Sequence, residues 1–219
     1  MTVRVLLSGG LDSAACLVWA LHKWALDEFD TVDAVGFDYG QPHRKELAAA
    51  VRVANALSAD YWTERLVLSG GLLDGGTEGA ATVVPDRNAA FLRAAAPGAS
   101  ALVLGCTAED QEHYPDCRPE FVEAMTAELG IPVHAPLITK TKAEVWAMVP
   151  PEVRRLTWSC YVGGQELCGV CGACRVRALA VPCPTCFTGG RPTPTGARCH
   201  HPSAGYCAPH RARVEASCR

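Results

Sequence analysis

Short apolar runs alternate with amphipathic segments over the first 160 residues of the chain. Runs with the length and composition of buried strands lie at residues 3–7, 32–37, 61–68, 101–104 and 131–134. Apolar residues at helical spacing predict helices at residues 13–26, 44–57, 120–129 and 141–148, and a short one at 175–181. Because strands separated by helices are typical of parallel sheets, the pattern predicts an α/β fold: a parallel five-stranded sheet with helices on both faces.

Capping residues mark the ends of two predicted helices. Thr141 and Glu144 have the spacing of a capping box, while Pro119 stands at a first helical position and Gly130 just past the end. Residues 69–82 are rich in glycine and predict a loop. From residue 182 onward, prolines and glycines interrupt every helical or strand period. We therefore expect no regular fold there unless a cross-link such as a bound metal ion holds the segment together.

Length and composition limit the class of protein. The chain has 219 residues, of which 49% are hydrophobic, enough for one compact domain with a small appendage. Disorder is thereby excluded for most of the chain. The N-terminus shows no leader pattern, and the longest apolar runs fall well short of the roughly 20 residues that span a membrane. We expect a soluble cytoplasmic protein without a membrane partner.

The 12 cysteines are distributed unevenly. Nine of them lie from Cys160 onward, where the charge balance is +5, against −8 for the first 159 residues. In a reducing compartment, cysteines at short spacing indicate metal binding rather than disulfides. These contrasts predict an acidic body at 1–159, a metal-binding segment at 160–181 and a Cys/Pro-rich tail at 182–219. The acidic body argues against nucleic-acid binding by that part of the chain.

A glycine-rich loop joins the first predicted strand to the first predicted helix. Its glycines let the backbone approach a phosphate, its serines donate hydroxyl groups, and the helix N-terminus supplies free N–H groups. The loop lacks the lysine and the spacing of a Walker A motif, which disfavours transfer of a terminal phosphate. The alternative is a Gly-Gly turn that only caps the helix. The predicted phosphate-binding residues are Leu7, Ser8, Gly9, Gly10, Leu11, Asp12 and Ser13.

The sequence SGGLDS directly after a first strand resembles the PP-loop of the N-type ATP pyrophosphatases, which cut ATP between its α- and β-phosphates. Four further segments resemble the 7-cyano-7-deazaguanine synthase family and follow the family's order. They are FDYGQPHRKE at 37–46, PDRN at 85–88, GCTAEDQEHYPDCRPEF at 105–121, and TWSCY with CGVCGACRVR within 157–177. The resemblance implies an adenine nucleotide alpha hydrolase-like fold.

The same resemblance implies an ATP-dependent carbon–nitrogen ligase. Its reaction converts 7-carboxy-7-deazaguanine and ammonia to 7-cyano-7-deazaguanine, toward queuosine, archaeosine or deazaguanine-modified DNA. Adenylation gives the carboxylate a leaving group, ammonia then forms the amide, and a second activation gives the nitrile. The implied cofactors are ATP with Mg²⁺. No glutaminase segment is recognisable, so free ammonia is expected.

Several residues of this sequence match the family's nucleotide site. A cation following the fifth strand would steady the charge of the pyrophosphate leaving group, and Lys142 in TKAE matches the family better than Lys140. The ordinary alternative is a pair of exposed lysines at a helix start. The implied catalytic residues are Asp12, Lys142 and Arg118. The implied ATP-binding residues, besides the loop, are Phe37, Asp38, Arg87 and Gly105.

A dense polar cluster matches the family's substrate motif. Asp116 would accept hydrogen bonds from the adjacent N–H donors of a guanine-like ring, Arg118 would hold the substrate carboxylate, and Tyr114 would stack on the ring. A solvated charged loop is the alternative interpretation. The implied substrate-binding residues are Tyr39, Glu109, Asp110, Tyr114, Asp116 and Arg118.

Cysteines upstream and within a C-x-x-C-x-x-C run predict a closed metal site. Four thiolates suit a structural, tetrahedral Zn²⁺, as the resemblance also implies, and an iron–sulfur cluster is the alternative. The predicted ligands are Cys160, Cys168, Cys171 and Cys174. In the tail, which the resemblance does not cover, a second zinc knuckle is predicted, with a loose tail as the alternative. Its ligands would be Cys183, Cys186, Cys199 and Cys207.

The chain also departs from the family pattern. Asp86 stands where the family usually has glycine, and segments near residues 69–82, after Arg87 and at 144–157 are shorter than usual. Two other functional classes stay open at this point: a PP-loop tRNA thiolase or other amidating ATP pyrophosphatase, and a non-catalytic zinc protein that binds nucleic acid. The sequence does not fix the oligomeric state and leaves a homodimer open.

Overall fold

The computed structural model describes residues 1–24, 30–41, 44–68, 84, 86–162, 164 and 166–180, apart from the side chain of residue 179. The predicted loop at 69–82 and the predicted second zinc knuckle at Cys183, Cys186, Cys199 and Cys207 lie outside these residues.

Strands and helices alternate along the described chain, as the hydrophobic pattern predicts. The strands are β1 (Thr2–Leu6), β2 (Thr31–Asp38), β3 (Asp60–Arg65), β4 (Ala101–Val103) and β5 (Val133–His134). The helices are α1 (Leu11–Trp24), α2 (Lys45–Ala56), α3 (Arg87–Ala95), α4 (Pro119–Leu129), α5 (Lys142–Met148), α6 (Pro151–Arg154) and α7 (Gly172–Ala180). Two short 3₁₀ helices, Asp110–Glu112 and Pro115–Cys117, precede α4.

All five strands are parallel and lie in the order β3-β2-β1-β4-β5. The central strand β1 pairs through Val5 with Ala34 of β2 and with Val103 of β4. The first crossover returns on one side of β1 and a later one on the other, so the strand order reverses beside β1. The carboxyl end of a strand at such a reversal is where ligands bind in open parallel sheets. The prediction of a parallel five-stranded α/β fold is confirmed.

Two apolar layers hold helices against both faces of the sheet. Side chains on one face, including Val3 and Val5, pack with α1, α2, α5 and α6. Side chains on the other face, including Leu6 and Leu102, pack with α3 and α4. Successive residues of β1 therefore serve opposite layers, as the twofold alternation of a strand requires. Within the described residues, no helix is both long and apolar enough to cross a membrane.

The caps anticipated from the sequence are present. Thr141 accepts a hydrogen bond from the backbone N–H of Glu144, and the Glu144 side chain accepts from the Thr141 N–H, which completes the capping box of α5. Pro119 opens α4, and Gly130 ends it with φ of 68°. A left-handed residue past the last turn is the usual helix stop.

Helix α3 was not anticipated by the hydrophobic pattern. Four of its nine residues are alanine, which favours a helix but gives a weak signal of amphipathic spacing. Asp86, directly before α3, has φ of 55°, the left-handed region in which glycine is preferred. This geometry explains why the family pattern has glycine at that position, and aspartate is among the residues that tolerate it.

Candidate active site

The loop after β1 sits at the carboxyl end of the central strand. Gly9 has φ of 90°, and a Cβ atom on it would lie 2.2 Å from the Glu46 carbonyl oxygen and 2.6 Å from the Ala50 nitrogen. The loop therefore packs directly on the first turns of α2, and only glycine fits that approach. Because α1 begins at Leu11, its N-terminal N–H groups face the same space, as an anion site requires.

Hydroxyl groups organise the inside of the loop. The oxygens Ser8 Oγ and Ser13 Oγ are 3.1 Å apart, and the Gly10 N–H donates to Ser8 Oγ at 3.3 Å. Ser13 Oγ also donates to the Gly10 carbonyl at 3.1 Å. From outside the loop, the backbone N–H of Trp158 donates to the Gly9 carbonyl at 2.9 Å. The loop is thus fixed at both ends before any phosphate binds.

A buried lysine lies beside this loop between two carboxylates. Lys142 Nζ donates to Asp12 Oδ2 at 2.7 Å and to Asp110 Oδ2 at 3.4 Å. The Lys142 backbone N–H donates to Glu109 Oε1 at 3.0 Å. Asp110 is itself held by the N–H and the hydroxyl of Thr107, at 2.9 and 2.7 Å. The start of α5 is therefore tied to the loop after β4, which places one cation at the phosphate loop.

Electrostatics keep this lysine charged. Although burial favours its neutral form, the carboxylates of Asp12 and Asp110 raise the pKa of Lys142 above its ordinary value. Burial raises the pKa of Asp12, and the charge of Lys142 opposes that rise. The second Asp12 oxygen, Oδ1, is buried and receives no hydrogen bond from the described residues. The site therefore contains a fixed cation, Lys142, and a carboxylate oxygen of Asp12 that accepts no hydrogen bond from the described residues.

The facing wall carries a second charged group. Arg87, the first residue of α3, is half-buried, and although desolvation opposes it, Tyr39, Asp116 and other negative or polar neighbours raise its pKa. Burial also raises the pKa of Glu46, on the first turn of α2, to about 7, although the Arg87 charge opposes the rise. Tyr161 is close enough to both for their charges to shift its own pKa.

Aromatic rings line the wall between β2 and α3. The rings of Phe37 and Phe91 stack with centroids 4.6 Å apart and planes 6° from parallel, and Tyr39 lies 5.4 Å from Phe91. Flat apolar surfaces of this kind accept a planar heteroaromatic ring.

One cleft of about 870 Å³ joins the phosphate loop, the lysine and the aromatic wall. This volume is in the range of pockets that hold a nucleotide-sized ligand. The predicted site residues that line it are Leu7, Ser8, Gly10, Leu11, Asp12, Ser13, Phe37, Tyr39, Arg87, Gly105, Glu109, Asp110, Tyr114, Asp116 and Lys142.

Three predicted residues have other surroundings. Gly9 supports the loop from behind, against α2. Asp38 accepts hydrogen bonds from the Gly40 N–H and from the Arg44 guanidinium, at 3.1 and 2.8 Å. Arg118 Nε donates to the Gln111 carbonyl at 3.0 Å. None of the three lines the cleft described here.

The cleft also contains residues that the sequence alone did not single out. The most prominent are Glu46, Asn88, His113, Trp158, Ser159 and Tyr161. Three of these belong to the motif TWSCY, in which only the cysteine is a predicted site residue. Glu46 ends the segment FDYGQPHRKE, and its position on the inner face of α2 was the available signal.

Four cysteines form a separate cluster beside the cleft. Their sulfur atoms all lie within 4.8 Å of one another, and Cys168 Sγ is 4.0 Å from Cys174 Sγ. In a tetrahedral site with metal–sulfur bonds of about 2.3 Å, sulfur atoms are about 3.8 Å apart, so the spacing fits a metal. The predicted ligands Cys160, Cys168, Cys171 and Cys174 are thus brought together.

Backbone donors point at these sulfur atoms. The Cys168 N–H donates to Cys160 Sγ at 3.4 Å, and the Cys171 N–H donates to Cys168 Sγ at 3.3 Å. Although burial opposes it, such N–H groups help to lower the pKa of Cys168 to about 7. Hydrogen bonds of this type favour thiolates, the form in which cysteine binds metals.

Comparison with known structures shows relatives of the fold. A predicted subunit of a tRNA methyltransferase from Methanocaldococcus jannaschii matches with a TM-score of 0.51 and 18% identity, over 68% of this chain and 74% of that one. The U34-tRNA thiolase NcsA from Methanococcus maripaludis matches with a TM-score of 0.52 and 18% identity, over 72% of this chain and 58% of that one. Similarity at this level concerns the fold alone.

Comparison of sequences is more specific. A 7-cyano-7-deazaguanine synthase from Synechococcus sp. (strain CC9311) is 38% identical and aligns with 87% of this chain and 98% of its own length. A protein of the same name from Rhizobium johnstonii is 37% identical over 85% of this chain and 92% of its own. The family model described as queuosine biosynthesis protein QueC matches residues 2–182. The chain therefore belongs to the QueC family, whose curated relatives are 7-cyano-7-deazaguanine synthases.

Proposed function

We propose that this chain is a 7-cyano-7-deazaguanine synthase, which joins ammonia to 7-carboxy-7-deazaguanine with ATP and forms the nitrile. One observation carries the proposal: a single cleft contains an anion-binding loop, a buried lysine and an aromatic wall, in a chain that the QueC family model matches over residues 2–182. The cleft has room for a nucleotide and a purine-like ring side by side.

The first step is transfer of AMP to the substrate carboxylate. A carboxylate oxygen attacks the α-phosphorus of ATP, and the bond from that phosphorus to the bridging oxygen of pyrophosphate breaks. The loop N–H groups and the N-terminus of α1 bind the pyrophosphate as negative charge develops on it. Lys142, held between Asp12 and Asp110, adds a cation whose position is fixed before the reaction begins.

The remaining steps use the same surfaces again. Ammonia attacks the acyl carbon, AMP leaves, and a proton is lost to give the amide. The amide oxygen then attacks a second ATP, pyrophosphate leaves, and loss of AMP with two protons gives the nitrile. Both activations need the carbon next to the α-phosphate, so the ring must stay in one place. We assign this task to the aromatic wall formed by Phe37, Tyr39 and Phe91.

We further propose Mg²⁺ as the ion that accompanies ATP. Mg²⁺ prefers carboxylate and phosphate oxygens, and Asp12 Oδ1 is a carboxylate oxygen without a hydrogen-bond donor among the described residues. The ion would neutralise phosphate charge. Glu109 and Asp110 are already engaged by Lys142 and Thr107, so Asp12 is the better candidate.

For the cysteine cluster we propose a structural Zn²⁺. Four thiolates leave no open position for chemistry, and the sulfur spacing fits such a site. Elemental analysis of the purified chain with an absorption spectrum tests this choice, because an iron–sulfur cluster would add iron and visible absorption. A second zinc per chain would indicate the knuckle predicted for the tail. A metal site of reduced thiols also supports our proposal that the enzyme works in the reducing cytoplasm.

Two substrate contacts predicted from the family remain proposals. Tyr114 and Asp116 line the cleft, which supports our proposal that they contact the ring or its carboxylate. Arg118 would have to turn from the Gln111 carbonyl toward the cleft in order to take part.

Turnover with defined substrates tests the proposed function. The chain is incubated with ATP, Mg²⁺, ammonium and 7-carboxy-7-deazaguanine, and AMP, pyrophosphate and nitrile are measured by liquid chromatography and mass spectrometry. We expect acid-dependent AMP and the nitrile. Lys142→Met should lower the rate of both by roughly 100- to 1,000-fold, while Lys140→Met, which changes a lysine outside the cleft, should not. Release of AMP that depends on tRNA instead of the acid would favour a thiolase and refute the proposal.

A further inference from the structure

Glu46 is a half-buried acidic residue of the cleft, and the proposed steps give it no role. It lies on the first turn of α2, where its backbone carbonyl packs against Gly9 of the phosphate loop. Its side chain lines the same cleft as Arg87 and the aromatic wall. No hydrogen bond to its carboxylate comes from the described residues, and the only opposing charge that affects its ionisation there is that of Arg87.

The carboxylate of Glu46 therefore has unused capacity to accept hydrogen bonds. A ligand that fills the cleft would remove water from this half-buried carboxylate, and an ionised group that loses its hydration needs hydrogen-bond donors in compensation. Asp116 shows the contrast: the backbone N–H of Asn88 donates to one of its oxygens at 3.3 Å, and the Cys117 thiol lies 4.0 Å from the other. Asp116 has protein partners on both oxygens, whereas no described residue donates to either oxygen of Glu46, which leaves both to accept from a ligand.

The chemistry of a deazaguanine supplies the missing donors. Its ring N–H and the neighbouring exocyclic amino group form a pair of adjacent donors, and an ionised carboxylate presents two acceptor oxygens at matching spacing. The ring's carbonyl oxygen is next to these donors and would face a cation, which Arg87 provides. The aromatic side chains of Phe37, Tyr39 and Phe91 line the same cleft and form an apolar wall beside the space for the heterocycle.

We propose that Glu46 accepts the hydrogen bonds of the ring N–H and the amino group of the deazaguanine, and so determines the specificity of the enzyme for a guanine-type ring. The inference rests on the proposed function and assigns the residue that recognises the substrate ring. It also shifts that role from Asp116, which the sequence favoured, to a residue on α2.

An analogue without the amino group tests this assignment. The dissociation constants of 7-carboxy-7-deazaguanine and of 7-carboxy-7-deazahypoxanthine are measured by calorimetry with a non-hydrolysable ATP analogue present. For the wild type we expect a preference for the guanine acid of roughly 10- to 100-fold, the range of one hydrogen bond to a charged group. In Glu46→Gln this preference should fall to within about threefold, because an amide cannot accept from both donors. Glu123→Gln, on the exposed side of α4, is the matched control.

Each outcome decides the assignment. If Glu46→Gln weakens both acids equally, Glu46 only balances the charge of Arg87 and the proposal is wrong. If Asp116→Asn removes the preference and Glu46→Gln keeps it, Asp116 recognises the ring and the proposal is wrong. Affinity for the ATP analogue reports whether each variant retains its folded cleft. Nitrile formation is scored separately: a wild type that binds the acid but forms no nitrile refutes the proposed function, while the ratio of dissociation constants still supports or overturns the role of Glu46.

Discussion

Replacing Gly9 by alanine tests how the phosphate loop is held. Two penalties arise together at this position. An L-residue at φ of 90° costs roughly 1–2 kcal/mol. In addition, the new methyl group would lie 2.2 Å from the Glu46 carbonyl and 2.6 Å from the Ala50 nitrogen, both parts of a helix backbone that cannot rotate away. Forcing α2 outward is comparable to overpacking a core, which costs about 1–3 kcal/mol.

Gly98 provides a matched control. It has φ of 76°, and a Cβ atom there would meet nothing within 4 Å, so Gly98→Ala carries the backbone penalty without the clash. We expect Gly98→Ala to lower the free energy of unfolding by about 1–2 kcal/mol and Gly9→Ala by about 2–5 kcal/mol. Urea denaturation of both variants measures the difference, and calorimetry with ATP should show weaker binding for Gly9→Ala alone.

The comparison can refute the reasoning in either direction. Equal destabilisation of the two variants would mean that α2 yields without cost, so that the close approach does not fix the loop. Normal ATP affinity in a destabilised Gly9→Ala chain would mean that the loop keeps its shape when its support moves.

Three further predictions follow from the site. Lys142→Met should lower the rate of AMP formation by roughly 100- to 1,000-fold while changing ATP affinity much less, since the cation acts on the leaving charge; a rate like that of Lys140→Met would contradict this role. Chelation of a metal bound at the cysteine cluster, or Cys171→Ser, should lower both the melting temperature and ATP affinity, measured by scanning fluorimetry and calorimetry. Unchanged ATP affinity after chelation would show that the metal does not support the phosphate loop. Burial raises the pKa of Glu46 from its ordinary 4.5 to about 7, so the folded protein keeps a proton that the unfolded chain has lost. The group's contribution therefore falls as pH rises through this window, by up to about 3 kcal/mol. In urea titrations at several pH values, the free energy of unfolding should depend less on pH for Glu46→Gln than for the wild type. An equal pH dependence in the two proteins would contradict the raised pKa of Glu46.

The sequence predicts most of the fold because local signals and burial agree along the body. Each apolar run became a parallel strand, although β5 is reduced to Val133–His134. The capping box at Thr141 fixes α5 as expected. Helix α3 escaped prediction since alanine favours a helix but provides little periodicity. The spacing of apolar residues gives only a weak signal for an alanine-rich helix of this kind.

The site was predictable where a motif is local and less so where it is assembled in space. The phosphate loop and the four cysteines are short segments whose residues act together, and the structure brings both sets together. Glu46 differs, because the role proposed for it depends on how α2 faces the cleft and on the lack of a donor to it among the described residues. Packing that joins α2, α3 and the loop decides that property. Spacing along one helix cannot reveal it.

The cysteine cluster also acquires a function that its composition does not suggest. The Trp158 backbone N–H donates to the Gly9 carbonyl at 2.9 Å, and the Trp158 indole donates to the Cys160 carbonyl at 3.0 Å. Cys160 is one of the four clustered thiols. A metal that fixes Cys160 therefore fixes Trp158, which in turn holds the glycine that α2 supports from the other side. The hydroxyl contacts inside the loop and these two outside contacts together hold its shape. A metal bound at the cysteine cluster beside the cleft would therefore help to preorganise phosphate binding.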